Sequence, residues 1–176
     1  LHAGADAEPA LNAWYDGAGL SRRLLETIDL GIAVDTDDGL FVPIMRDIGN
    51  RGADDLRRGL DAMKSDVIAR RIPPDELRGA TITLSNFGTF GASRTAALVI
   101  VPPQVAIIGA GPIAPEVVAE DGRATVRRRL PLSLTFDHRV VTGGEATRFL
   151  AALIADLGRD ACRQGGGVAP RVRAGV

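Results

Sequence analysis

An apolar run, a polar turn carrying one histidine and an amphipathic helix follow one another without a break between Leu130 and Leu157. No other stretch restricts the fold so tightly. Leu130-Pro131-Leu132-Ser133-Leu134-Thr135-Phe136 reads as a long strand. It stops at Asp137-His138-Arg139-Val140-Val141-Thr142-Gly143-Gly144. From Glu145 to Leu157, Ala146, Phe149, Leu150, Leu153, Ile154 and Leu157 share one helical face, and Gly158 is placed as the stop. A strand that ends in such a turn holds the next side chains on a rigid support, where functional groups concentrate.

The preceding chain is mostly strand. Residues 1 to 10 match no complete element, and Leu11 to Tyr15 reads as a strand ended by Asp16-Gly17. Leu30 to Val34 and Leu40 to Met45 flank the turn residues Asp35 to Gly39, which predicts a hairpin. Pro43 lacks a ladder donor and marks an edge or a bulge. Ala53 to Arg70 is a helix with Leu56, Leu60, Met63 and Val67 on one face, stopped by Pro73-Pro74. Thr81 to Leu84 is a strand that runs into the glycine-punctuated loop Ser85 to Gly91. Short apolar runs follow at Ala97 to Val101 and Val105 to Ile108. Asp121-Gly122 signals a hairpin turn between Val117–Ala119 and Ala124–Arg128. Residues 159–176, rich in glycine, read as a disordered tail. Strands with two long helices and no repeat or linker make the class α+β with a mixed or antiparallel sheet, in one domain over residues 1–158.

Charge and composition exclude several functions. The 21 basic and 22 acidic side chains nearly balance, so no electrostatic case exists for nucleic acid or an anionic membrane. No apolar run approaches the roughly 20 residues of a membrane span. Cys162 is the only cysteine, so no internal disulfide forms, and a cytoplasmic location is the expectation. One Trp, one Tyr and five Phe are few large anchors for a core, which favours burial against other subunits.

His138 and His2 are the only histidines, and His2 lies in the irregular N-terminus. His138 suits a near-neutral base, although a lone histidine also serves structure. Ser85 closes a strand before a glycine loop, where a serine also serves as a turn former. Cys162 has no fixed electropositive surroundings in sequence. No metal-ligand spacing exists, and Gly109-Ala110-Gly111 lacks the third glycine of a dinucleotide fingerprint. Asp35, Asp37 and Asp38 are turn acids. A histidine and a serine at loop ends, with no third partner, fit base-assisted transfer to an external nucleophile better than a hydrolase triad.

The string PLSLTFDHRVVTGGEATRFLAALIADL resembles the C-terminal signature of dihydrolipoamide acyltransferases, which runs D-H-R-x-x-D-G into a helix. LGIAVDTDDGLFVPIMRD is similar to that family's central hairpin. TITLSNFGTFGA followed by PPQVAIIGAG is similar to its serine loop. The resemblance covers residues 11 to 158. It implies a fold like chloramphenicol acetyltransferase: a sandwich of a mixed sheet with helices on one face, here shortened at the N-terminus. It further implies homotrimers that build a cubic or dodecahedral core, and a site between subunits entered by coenzyme A and by the lipoyl arm of a separate domain. The implied partners are a 2-oxo-acid decarboxylase and dihydrolipoamide dehydrogenase. On this resemblance His138 matches the general base and Ser85 the oxyanion donor, no metal is implied, and the coenzyme A contacts are undetermined.

The family usually has aspartate where Thr142 stands. Thr142-Gly143-Gly144-Glu145 has capping-box spacing, so Thr142 is expected to brace the histidine turn by capping the helix. Branched-chain acyl groups are preferred over acetyl on the likeness of the blocks. The alternatives are a non-catalytic scaffold and a chloramphenicol-type acetyltransferase with a free small acceptor.

Overall fold

The computed structural model describes residues 1–90, 94–163 and 173–175. Its centre is a mixed sheet. In chain order the strands are β1 (Ala13–Asp16), β2 (Ser21–Leu24), β3 (Leu30–Thr36), β4 (Gly39–Phe41), β5 (Ile44–Met45), β6 (Ile82–Asn86), β7 (Ala106–Ala110), β8 (Ala114–Glu120), β9 (Arg123–Phe136) and β10 (Arg173–Gly175). The helices are α1 (His2–Ala7), α2 (Ala53–Ile68) and α3 (Gly143–Arg163). The main sheet runs β10-β9-β7-β6-β3-β4, with β5 on β3 and β8 on β9, while β1 and β2 form a separate ribbon. β3, β6 and β7 are parallel, and β9 returns antiparallel to β7.

Alternation along the strands separates two faces. Leu30, Ile82, Ala106, Ile108 and Leu132 point to the side of Phe149 and Leu153 on α3, and these form the core. α1 completes this layer, with Gly4 tucked beneath Phe149: a Cβ on Gly4 would meet that ring at 3.0 Å. α2 runs beside β3 and β6, where Leu60 and Lys64 border a groove with Ile32, Ala33, Val34, Leu84 and Ser85. The other face carries the row Ala33–Ser85–Gly109–Ser133, one residue from each of four strands. Phe87 and Leu98 press onto that row at Gly109.

Several elements differ from the sequence expectation. Residues 1 to 10 do form structure, α1 and a 3-10 turn at Pro9–Leu11, because packing on α3 supplies what a six-residue helix without a side-chain cap lacks. The first strand begins at Ala13 and pairs with β2, whose Ser-Arg-Arg-Leu sequence carries no burial pattern. The apolar run Ala97 to Val101 takes no regular structure, and Val99 is 84% exposed despite its apolar neighbours. α3 continues through Gly158 to Arg163, since that glycine keeps an ordinary helical φ. Of the expected tail, residues 159–163 continue α3 and 173–175 pair with β9, while 164–172 and 176 lie outside the described residues.

The other turns follow their chemistry. Asp121 and Gly122 both have positive φ, 52° and 75°, and join β8 to β9 as a tight hairpin. Pro43 is buried where β4 breaks before β5, and its carbonyl accepts from Ile32 N–H at 2.9 Å.

Candidate active site

β6 delivers Ser85 to its C-terminal end, paired with Ala33 on one side and Gly109 on the other. Ser85 is half-buried. The glycine is required there: a Cβ at position 109 would stand 2.4 Å from Ser133 Oγ and 2.7 Å from Phe87 Cε1. The following turn is fixed by Gly88 N–H donating to Asn86 Oδ1 at 3.2 Å. A groove of about 350 Å³ between β3, β6 and α2 reaches Ser85. Alternation sets Ile32 and Leu84 on one strand face and Ala33 and Ser85 on the other, and all four line the groove.

β9 ends at Phe136, and the next residues form a turn pinned on both flanks of His138. Asp137 N–H donates to Val105 O at 2.8 Å, and Asp137 O accepts from Val140 and Val141 N–H at 3.1 and 3.0 Å. The Asp137 carboxylate accepts from Arg139 Nε at 2.9 Å and from Nη2 at 2.6 Å. The hydrogen bond from this guanidinium, with its positive charge, holds the Asp137 carboxyl below the usual carboxylate range. Arg139 in turn lies 4.6 Å over the ring of Tyr15 in β1. Arg22 in β2 donates to the carbonyl of Val140.

His138 itself is exposed. Its ring packs on Phe136, with centroids 5.4 Å apart, and it makes no hydrogen bond or ion pair among the described residues. The imidazole is thus free to meet a group from outside while its neighbours are held.

Thr142 closes the turn as the first residue of a capping box. Its N–H and its hydroxyl donate to Glu145 Oε2 at 2.7 and 2.9 Å, and Glu145 N–H returns to Thr142 Oγ1 at 3.3 Å. The return bond lies just beyond the upper end, roughly 3.2 Å, of the usual N–H···O range. The N–H and hydroxyl of Thr142 lower the carboxyl pKa of Glu145.

One chain does not bring Ser85 and His138 together. Ser85 is in register with Gly109 and, through it, with Ser133 of β9, five residues short of His138. Two strand spacings of about 4.8 Å and five residues of about 3.3 Å each put the two residues roughly 15–20 Å apart. Sequence reasoning singled out both and did not single out Tyr15 or Arg22, which hold the histidine turn. Tyr15 and Arg22 reach it across more than a hundred residues of chain, which leaves no periodic signal, while Arg139 belongs to the turn and bonds Asp137 locally. Among the described residues no three His, Cys, Asp or Glu side chains converge as metal ligands.

The chain matches the model of the 2-oxoacid dehydrogenases acyltransferase (catalytic domain) over residues 2–158. It is 33% identical over 145 residues to the dihydrolipoyllysine-residue succinyltransferase component of the 2-oxoglutarate dehydrogenase complex of Rickettsia bellii, covering 82% of this chain and 36% of that protein. It is similar in structure to the dihydrolipoamide acetyltransferase of Azotobacter vinelandii (34% identity, TM-score 0.76), covering 85% of this chain and 60% of that one. That structure belongs to an investigation of the roles of a serine, a histidine and an asparagine in the catalytic mechanism. It is equally similar to the cubic core of a pyruvate dehydrogenase multienzyme complex (31% identity, TM-score 0.76), covering 88% of this chain and 63% of that one. Chloramphenicol acetyltransferase, at 16% identity and TM-score 0.50 over 86% of this chain and 72% of its own, shares the fold. The chain spans about a fifth to just over a third of the length of the curated relatives it matches.

Proposed function

The chain belongs to the catalytic-domain family of the 2-oxoacid dehydrogenase acyltransferases, and from that premise we propose that it moves an acyl group between dihydrolipoamide and coenzyme A in the core of a 2-oxo-acid dehydrogenase complex. The observation that carries the proposal is the exposed, unbonded imidazole of His138 on a turn fixed at both flanks. His138 takes the proton of the coenzyme A thiol, and the thiolate attacks the thioester carbonyl on the lipoyl arm. The Ser85 hydroxyl donates to the oxyanion of the tetrahedral intermediate. Collapse breaks the bond to the lipoyl sulfur, which recovers the proton from the imidazolium. Base catalysis of this kind is worth on the order of 10²–10⁴ in rate, and one oxyanion donor on the order of 10²–10³.

Spacing supports the assignment. The asparagine of the Azotobacter enzyme, like Thr142 here, stands four positions after the histidine, and its serine, like Ser85, stands just over fifty positions before it. The separation of Ser85 from His138 favours a site built from two copies in a homotrimer, and the likeness to a cubic core favours assembly beyond the trimer. A lipoyl domain, a 2-oxo-acid decarboxylase and dihydrolipoamide dehydrogenase are the partners this reading requires, and the single cysteine favours the cytoplasm.

Relatives are named for succinyl and acetyl transfer and lend no support to the branched-chain preference. The test is thioester formation on coenzyme A by the complete protein, from acetyl-, succinyl- and isobutyryl-dihydrolipoamide. Transfer from one donor is the expected result and identifies the acyl class. An assembled protein that transfers from none is a scaffold. Acetylation of a free hydroxyl acceptor in place of coenzyme A would make it a chloramphenicol-type enzyme.

A further inference from the structure

We propose that the β1–β2 ribbon is a positioning element for His138, acting through Tyr15 and Arg22. The inference rests on the assignment of His138 as the base.

Burial explains only half of this ribbon: Ala13 of β1 is fully buried in the core and Tyr15 packs against it, but β2 buries nothing. All four residues of β2 are exposed, and a two-stranded ribbon outside the main sheet has little stability of its own. It is nonetheless tied to the body of the protein. Trp14 Nε1–H donates to Ala80 O at 2.9 Å and Tyr15 N–H donates to Pro103 O at 2.8 Å, while Asn12 Nδ2 closes the base of the ribbon by donating to Leu25 O and Thr27 O at 2.7 and 3.0 Å. The anchored ribbon then touches the histidine turn twice. The Tyr15 ring carries the guanidinium of Arg139, which is itself doubly bonded to Asp137. Arg22 holds the Val140 carbonyl. Residues 137, 139 and 140 are thereby fixed and only residue 138 is left free, the arrangement an exposed base needs when its substrate comes from outside the chain.

Neither residue touches the reacting atoms, so each acts on turnover through the pose of the imidazole. Misplacement of a catalytic group by about 1 Å costs up to roughly 10²-fold in rate. Tyr15→Leu, which removes the ring face, and Arg22→Met, which removes the donor, are each expected to lower kcat about 3- to 30-fold. KM should move less than about twofold, because substrate binding is untouched. Tyr15→Phe keeps the ring face and should restore kcat.

The measurement is kcat and KM in the complete assembled protein, with each variant also placed in a His138→Ala background. Once the imidazole is gone there is nothing to position, so neither substitution should lower the residual rate further. If His138→Ala cripples the enzyme while Tyr15→Leu and Arg22→Met keep kcat within about twofold of the parent, the ribbon has no positioning role and the base assignment stands. Full additivity with His138→Ala would equally overturn the proposal, placing the ribbon's effect elsewhere. Parent-like turnover in His138→Ala alone removes the base assignment and the proposal with it. Should Tyr15→Leu fail to assemble, Arg22→Met on the exposed strand decides.

Discussion

Thr142 and Glu145 cap each other: the Thr142 N–H and hydroxyl both donate to one oxygen of Glu145, and the Glu145 N–H donates back to Thr142 Oγ1. This box starts α3 directly after the histidine turn. An N-cap of this kind contributes about 0.5–2 kcal/mol. Thr142→Ala is therefore expected to lower stability by that amount in denaturant melts, while kcat falls less than about tenfold because Arg22 and Arg139 still hold the turn. Abolished turnover at unchanged stability would instead give Thr142 a direct chemical role.

The same box makes stability depend on pH. The folded-state pKa of Glu145 is lowered, first by the Thr142 N–H and then by its hydroxyl. A depressed carboxyl pKa stabilises the fold above the unfolded value, and that contribution is lost as pH falls through the folded value. Glu145→Gln removes it, so the gap between parent and variant should be fully open above the ordinary glutamate pKa of about 4.3 and should close as pH falls through the lower folded value. Melting curves of both across that fall in pH check this, and a gap that stays constant would show that the carboxylate is unimportant. Asp137, held down by Arg139, adds a second loss of the same sign in the parent and the variant alike.

The register of β6, β7 and β9 leaves Ser85 and His138 of one chain far apart. His138→Ala should lower kcat on the order of 10²–10⁴, and Ser85→Ala on the order of 10²–10³ with little change in KM. If each site takes its serine and its histidine from different chains of a trimer, mixing the two inactive variants during assembly restores up to about a quarter of the sites. Mixed assemblies that stay inactive would place both groups in one chain.

Gly109 is the only residue type that the row beside Ser85 admits, since a Cβ there would meet Ser133 Oγ, Phe87 Cε1 and Leu98 Cδ1 all under 3.0 Å. Gly109→Ala is expected to cost about 1–3 kcal/mol of stability through overpacking. Because Phe87 starts the turn after β6, kcat should fall as well. Unchanged melting and turnover would mean that Phe87 and Leu98 move aside freely.

What the sequence determined by itself was local. The alternation of Leu130 to Phe136, the helical face of Ala146 to Leu157, the Asp121-Gly122 turn and the T-x-x-E spacing at Thr142 each depend on neighbours a few residues away, and each appears where its own chemistry puts it. His138 and Ser85 stood out for the same reason, as polar groups at the ends of apolar strands. Tertiary structure decided the rest. α1 is a helix because Phe149 covers Gly4, and β2 is a strand because β1 is anchored beside it. Tyr15 and Arg22 reach the histidine turn across more than a hundred residues of chain, a distance over which no periodicity survives. The register that sets Ser85 far from His138 comes from strand pairing in three dimensions, because pairing energy accrues between strands that the linear sequence does not order.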